Sequence, residues 1–202
     1  MRRSFFARLT LALVASLSLA ACAAGARSTS MVAPIDASTR AASDSVLFQS
    51  IKVNSVSGGE ETNPMWTSEV SSGAFREALT SSLRSSDMLD QTDGGLSLNA
   101  HIRDLKQPLV GFSFTVTAVV DYNVSTPDGQ RAFSEVIRTP FTAGVSDAFL
   151  GVERLRIANE GAIKENIKAF ITRLSNAADA DPEKFAVPEA ESEPASQMEP
   201  VS

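Results

Sequence analysis

One cysteine, Cys22, occurs in the 202-residue chain, and it stands directly behind a segment with the pattern of an export signal. Arg2, Arg3 and Arg8 form a positive leading region, and Leu9 to Leu19 (LTLALVASLSL) is apolar but too short to span a bilayer as a helix. An exported chain could use disulfides, and a lone cysteine forbids them within the chain. Whatever folds behind the signal is therefore held by packing alone.

Loss of the three arginines on processing takes the formal charge from -6 to -9, three positive charges fewer. That acidity argues against nucleic acid, whose phosphates require a basic surface. His101 is the one histidine, so a multi-histidine metal site is impossible, and we expect no metal and no cofactor. With 43% hydrophobic residues, the chain has apolar content for one folded domain plus flexible ends.

The signal ends in Leu19-Ala20-Ala21-Cys22. This resembles the lipobox of bacterial lipoproteins, which implies cleavage between Ala21 and Cys22 and diacylglyceryl transfer to the cysteine sulfur. From the residues alone, the alternative is an ordinary secretory signal cut near Ala21, with Cys22 an unpaired thiol. By the resemblance, mature lipoproteins carry three acyl chains. At roughly 0.8 kcal/mol per buried methylene, several chains make attachment effectively permanent. Ala23 and Ala24 follow the cysteine, and in the sorting rule of lipoproteins a non-acidic pair implies the outer membrane, facing the periplasm.

Ala23 to Ser43 is rich in Ala, Ser and Thr without apolar periodicity, so residues 22–43 are expected to be the lipidated cysteine and a flexible tether reaching about 25 Å. Residues 44–176 are expected to form the domain. Residues 177–202, with repeated Pro, seven acids and one Lys, are expected to be a disordered acidic tail.

Inside the domain, Val46 to Asn54 suggests a first strand, with Leu47, Ile51 and Val53 on one face, and Asn54 to Asn63 a loop. Ser71 and Ser72 can cap a helix to about Ser86, because Phe75, Ala78, Leu79 and Leu83 recur at helical spacing. Leu96, Leu98, Ala100 and Ile102 alternate with Ser97, Asn99, His101 and Arg103, the two-residue period of a half-buried strand. Phe112, Phe114, Val116, Ala118, Val120 and Tyr122 repeat it, Pro127-Asp128-Gly129 makes a turn, and Arg131 to Phe141 returns with Phe133, Ile137 and Phe141 inward.

A last helix is expected from about Asp147 to Leu174, with Leu155, Ala158, Ala162, Ile163, Ile167, Phe170, Ile171 and Leu174 on its apolar side. Glu153, Arg154, Arg156, Glu160, Lys164, Glu165 and Lys168 read as its solvated side. The order strand, helix, three strands, helix predicts an α+β fold: one antiparallel or mixed sheet of about four strands, with two helices on one face.

This architecture is similar to that of the lipopolysaccharide-assembly lipoprotein and the auxiliary lipoproteins of ABC-type lipid transporters. The segments Asn63 to Leu83 and Gly151 to Leu174 resemble a group of uncharacterised Gram-negative envelope lipoproteins. Some similar sequences carry the name UDP-N-acetylglucosamine acyltransferase. This chain departs from that family, whose left-handed β-helix has hexapeptide repeats that are absent here and whose acyl-carrier donor is cytoplasmic.

His101 could act as a general base, with Arg103 on its sheet face and only Asn99 and Thr115 or Thr117 near it. The plainer reading is a row of solvated strand residues, and a further one is that this polar face, uncovered by helices, meets a partner protein. Trp66 could be an exposed recognition aromatic, or it could pack over one end of the sheet. No catalytic set emerges. The sequence therefore points to a non-enzymatic accessory or structural lipoprotein of envelope assembly or transport, with the membrane and an envelope protein as partners. The competing classes are a lipid or lipopolysaccharide carrier with an apolar groove between helices and sheet, and an acyltransferase using His101.

Overall fold

The computed structural model describes residues 25–60, 69–90, 92, 95–108 and 111–186. Ala21, Cys22 and Trp66 lie outside these residues, as do the signal and the last sixteen positions. Four strands form one mixed sheet in the order β1 (Ile51–Gly58), β2 (Leu96–Lys106), β3 (Phe114–Ser125) and β4 (Arg131–Ala143). β1 runs parallel to β2, while β2–β3 and β3–β4 are antiparallel. Three helices accompany it: a single turn α1 (Ser28–Met31), then α2 (Ser72–Ser85) and α3 (Gly151–Ala180). The fold is the α+β layer that the order of apolar patterns predicts.

Alternation explains which sheet face is covered. Leu96, Leu98, Ala100 and Ile102 of β2 and Val116, Ala118, Val120, Tyr122 and Val124 of β3 are buried against α2 and α3. β1 departs from the expected boundaries, because residues 46–49 form turns and the strand continues through Ser55 to Gly58, where a loop was expected. A bulge between Val53 and Ser55 explains the misreading. The extra residue, Asn54, shifts the alternation, so Val56 joins the partly buried apolar set and period-two reading fails.

Helix α2 starts as expected, with the Ser71 hydroxyl accepting from the Ala74 amide at 3.2 Å. Helix α3 starts four residues later than expected. Asp147 is not its cap: the carboxylate accepts from the Gly144 amide at 2.7 Å and closes the preceding turn. The helix also runs further, to Ala180, and Pro182–Phe185 adds a 3-10 turn whose Phe185 is 1% exposed. Disorder from residue 177 onward is thus corrected: the packed chain extends to Phe185, because burial of Ala178 and Phe185 offsets the entropy of ordering.

Space between helices and sheet is filled by an aromatic stack. Tyr122 lies parallel to Phe170 with ring centroids 4.1 Å apart, and Phe75 and Phe133 meet the pair edge-on. Asn166 of α3 is the polar pin. Its amide nitrogen donates to the Ile137 carbonyl at 3.1 Å and to Thr139 Oγ1 at 2.9 Å, and its oxygen accepts from the Tyr122 hydroxyl at 2.9 Å. Burial pushes that hydroxyl well above its ordinary pKa of 10.0, so it stays a donor. A groove for an acyl chain would need this layer to be open, and among the described residues it is packed with side chains.

Gly161, mid-helix in α3, permits the close approach of helix and sheet. A Cβ there would lie 2.3 Å from Cδ1 of Phe141. Gly→Ala inside a helix ordinarily gains about 1 kcal/mol. Gly161→Ala is instead expected to lower stability by about 1–3 kcal/mol through overpacking, measured as a fall in the thermal midpoint. A raised midpoint would show that the ring swings aside freely.

Two further expectations are corrected by the segment before β1. Residues 25–43, read as a loose tether, lie across α2 and α3, with Met31 fully buried and Ala33 3% exposed. The Ala33 amide donates to Ser82 Oγ at 3.0 Å and the Ala26 amide to the Glu69 carbonyl at 3.1 Å. In covering α3, the segment also buries part of its charged side. Glu160, which accepts the Arg27 amide, and its partner Arg156 are each 5% exposed rather than solvated, and Arg154, 7% exposed, is buried instead by the loop before the helix.

Candidate functional site

The uncovered face of the sheet collects the polar halves of four alternating strands. Asn54, Ser55 and Ser57 come from β1, Asn99 and His101 from β2, Thr115, Thr117, Asp121 and Asn123 from β3, and Ser134 and Thr142 from β4. These side chains bond one another across the ladder. Asn99 Oδ1 accepts from Asn54 Nδ2 at 2.9 Å and from Ser55 Oγ at 2.5 Å. Ser134 Oγ donates to Asn123 Oδ1 at 2.7 Å, and Asn123 Nδ2 donates to Asp121 at 3.2 Å.

His101 is exposed, with Nδ1 3.0 Å from the Ser57 hydroxyl. Register places Asp121, rather than Thr115 or Thr117, opposite it, because those threonines pair further along with Thr142 and Lys106. Asp121 does not orient the imidazole. Its carboxylate takes Arg103 Nη2 at 2.5 Å, and Asn123 holds its other oxygen. Arg103 sits at a second bulge, between Ile102 and Asp104, which turns it back along the strand. Asn99, His101 and Arg103 are thus brought onto one accessible surface, as the alternation predicts, while the fourth candidate, Trp66, lies outside the described residues.

Chemically, the face offers paired hydroxyls, amides and one ion pair, all able to exchange partners with a docked surface. Nucleophilic catalysis would need a base held by a third group, and here the available carboxylate is already engaged by arginine. Among the described residues, no three metal-ligating side chains converge. A cleft of about 360 Å³ opens beside this face, between the ends of β1 and β2, lined by Glu60, Glu69, Arg103, Asp104 and Gln107. Gly59, Ile102 and Leu105 complete its lining, so its walls mix charged groups with apolar ones.

Pattern reading missed a second cluster, at the start of α3. Arg156 is gripped by Glu153 and by the buried Glu160, whose Oε1 also accepts the Arg27 amide at 2.9 Å. Donation from Arg156 holds the Glu153 carboxyl below the usual range. Its contribution is therefore complete above the pKa of an unfolded glutamate and is lost as pH falls through the lowered value. The signal in sequence is only the spacing of Glu153, Arg156 and Glu160, which suits any exposed helix.

No family model matches the chain, and no curated protein matches it. Solved structures do. A protein of Xanthomonas campestris described under the family model DUF330 is similar at TM-score 0.54 and 10% identity, over 75% of this chain and 95% of that one. A hypothetical protein of Chlamydia trachomatis reaches TM-score 0.47 at 10% identity over 65% and 97%. A minor lipoprotein of Acinetobacter baumannii reaches 0.43 at 7% identity over 64% and 94%. The four-stranded α+β fold of this chain is thus one it shares with the Xanthomonas protein over nearly the whole of that protein's length.

Proposed function

We propose that this chain is a lipoprotein anchored through Cys22 at the outer membrane, facing the periplasm, and that it acts without catalysis as an accessory partner in envelope assembly or transport. The observation that carries the reading is the open sheet face, a broad, exposed, hydrogen-bonding surface centred on Asn99, His101 and Arg103. An export signal ending in Ala21-Cys22 puts such a surface where envelope proteins are its neighbours. Non-obligate interfaces are no more apolar than the rest of a protein surface and carry about ten direct hydrogen bonds.

A photoreactive residue at position 101 in living cells, followed by mass spectrometry of the adducts, tests this. Capture of one discrete envelope protein, suppressed by bulky substitutions at Asn99 and Ser134, is the expected result. Lipid adducts at that position would favour a carrier. Absence of any adduct would leave the face as ordinary solvated sheet and overturn the proposal.

A further inference from the structure

Five large apolar side chains stand exposed at one end of the molecule. Phe112 is 88% exposed, Phe149 92%, Leu150 63%, Val145 58% and Val152 45%. Phe112 was expected inside, as the first residue of a strand, but the strand begins at Phe114. The two loops and the first turn of α3 that bear these residues converge because Phe114 pairs with Ala143 and its ring lies against Gly151. Apolar residues scattered singly on a surface need no explanation, whereas a cluster does.

These side chains are held outward by buried bonds. The Arg154 guanidinium lies beneath the loop, donating to the carbonyls of Ala148 at 3.0 Å and Phe149 at 2.7 Å, and sits over the Phe114 ring at 5.4 Å. With the backbone tied inward, the ring of Phe149 is directed to solvent.

The described chain also begins at this end. The Ala26 amide bonds the Glu69 carbonyl, and Glu69 accepts from Gln107, five residues before Phe112. The Arg27 amide meets Glu160, eight residues or about 12 Å along the helix from Val152. Cys22 precedes Gly25, the first described residue, by three positions, which at about 3.5 Å each span roughly 10 Å. A bilayer holding acyl chains on Cys22 is therefore within reach of the same end that exposes the phenylalanines.

We propose that Phe112, Val145, Phe149 and Leu150 dip into the surface of the membrane that holds the anchor and so set the domain in one orientation upon it. Apolar side chains such as Phe and Leu bury at the boundary between headgroups and acyl chains, and the anchor raises the local concentration of lipid at these loops. Seated this way, the strands rise from the membrane with the turn at Pro127 farthest away, and the polar sheet face stands sideways, open to a partner. This inference rests on lipidation of Cys22.

Because acylation consumes the native thiol, one engineered cysteine can be labelled uniquely. The full lipidated chain, carrying Ser146→Cys or Gln130→Cys with an environment-sensitive fluorophore, is reconstituted in vesicles of phosphatidylethanolamine and phosphatidylglycerol. Emission at 146 should shift to the blue and be quenched by spin-labelled lipid several-fold more than at 130, and Phe112→Asp with Phe149→Asp should abolish the difference without altering the circular dichroism. Protein that floats with vesicles but shows position 146 as wet as position 130 overturns the inference and leaves the anchor intact. A shift at 146 seen in native envelopes but not in vesicles overturns it in favour of a protein partner. Protein that neither floats nor has a blocked Cys22 overturns both readings.

Discussion

Glu160→Leu should lower stability by about 2–3 kcal/mol and free the first residues of the described chain, because one buried carboxylate holds two arginines. Its side chain is 6% exposed, as is that of Arg156. Removing one member of a buried pair commonly costs about 3–5 kcal/mol. The cost here is reduced because Glu153, which is 44% exposed, still engages Arg156. To this is added the lost acceptor of the Arg27 amide, worth about 1 kcal/mol. Urea unfolding measures the total, and hydrogen exchange at Arg27 through Ala33 locates it. A loss below about 0.5 kcal/mol with unchanged exchange would mean that the cluster behaves like an exposed ion pair. Glu160→Gln, which keeps an acceptor, should retain most of the segment's protection.

Asn166→Leu should cost a similar amount, about 3 kcal/mol, although leucine is close in size and apolar like its surroundings. The substitution strands the Tyr122 hydroxyl in a fully buried stack and removes the donor to the Ile137 carbonyl. Each buried polar group left without a partner costs about 1–3 kcal/mol. Tyr122→Phe alone should cost about 1–2 kcal/mol, since only the oxygen of Asn166 then loses a partner. The decisive measurement is the double-mutant cycle by denaturant unfolding. Coupling predicts that Asn166→Leu with Tyr122→Phe costs clearly less than the sum of the two, and strict additivity would refute the pin.

Both predictions rest on polar residues that helical periodicity places but does not explain. Asn166 falls between Ile163, Ile167 and Phe170 on the apolar stripe, where pattern alone reads a blemish. Glu160 and Arg156 fall on the charged stripe, where it reads solvent. Their roles depend on what packs against the helix: Tyr122 from a strand 44 residues away and Arg27 from 133 residues away. Candidate residues at positions 99, 101 and 103 were legible because period-two alternation assigns a face without any knowledge of neighbours. The partner of His101 was not legible, since cross-strand register depends on a bulge at Arg103 and on the length of the loop before Phe114.

By itself the sequence determined the α+β class, the order of its elements, the cap of α2 and the covered and open faces of the sheet. Each follows from local periodicity and from turn or cap chemistry within a few residues. Only the tertiary structure decided that residues 25–43 are packed, that α3 and its following turn end at Phe185, that Phe112 is exposed, and that Gly161 serves contact with Phe141. The physical reason is common to all four. Burial and buried hydrogen bonding are properties of surfaces brought together from distant parts of the chain, and a segment poor in apolar pattern can still be ordered when a buried carboxylate or an aromatic ring is waiting for it.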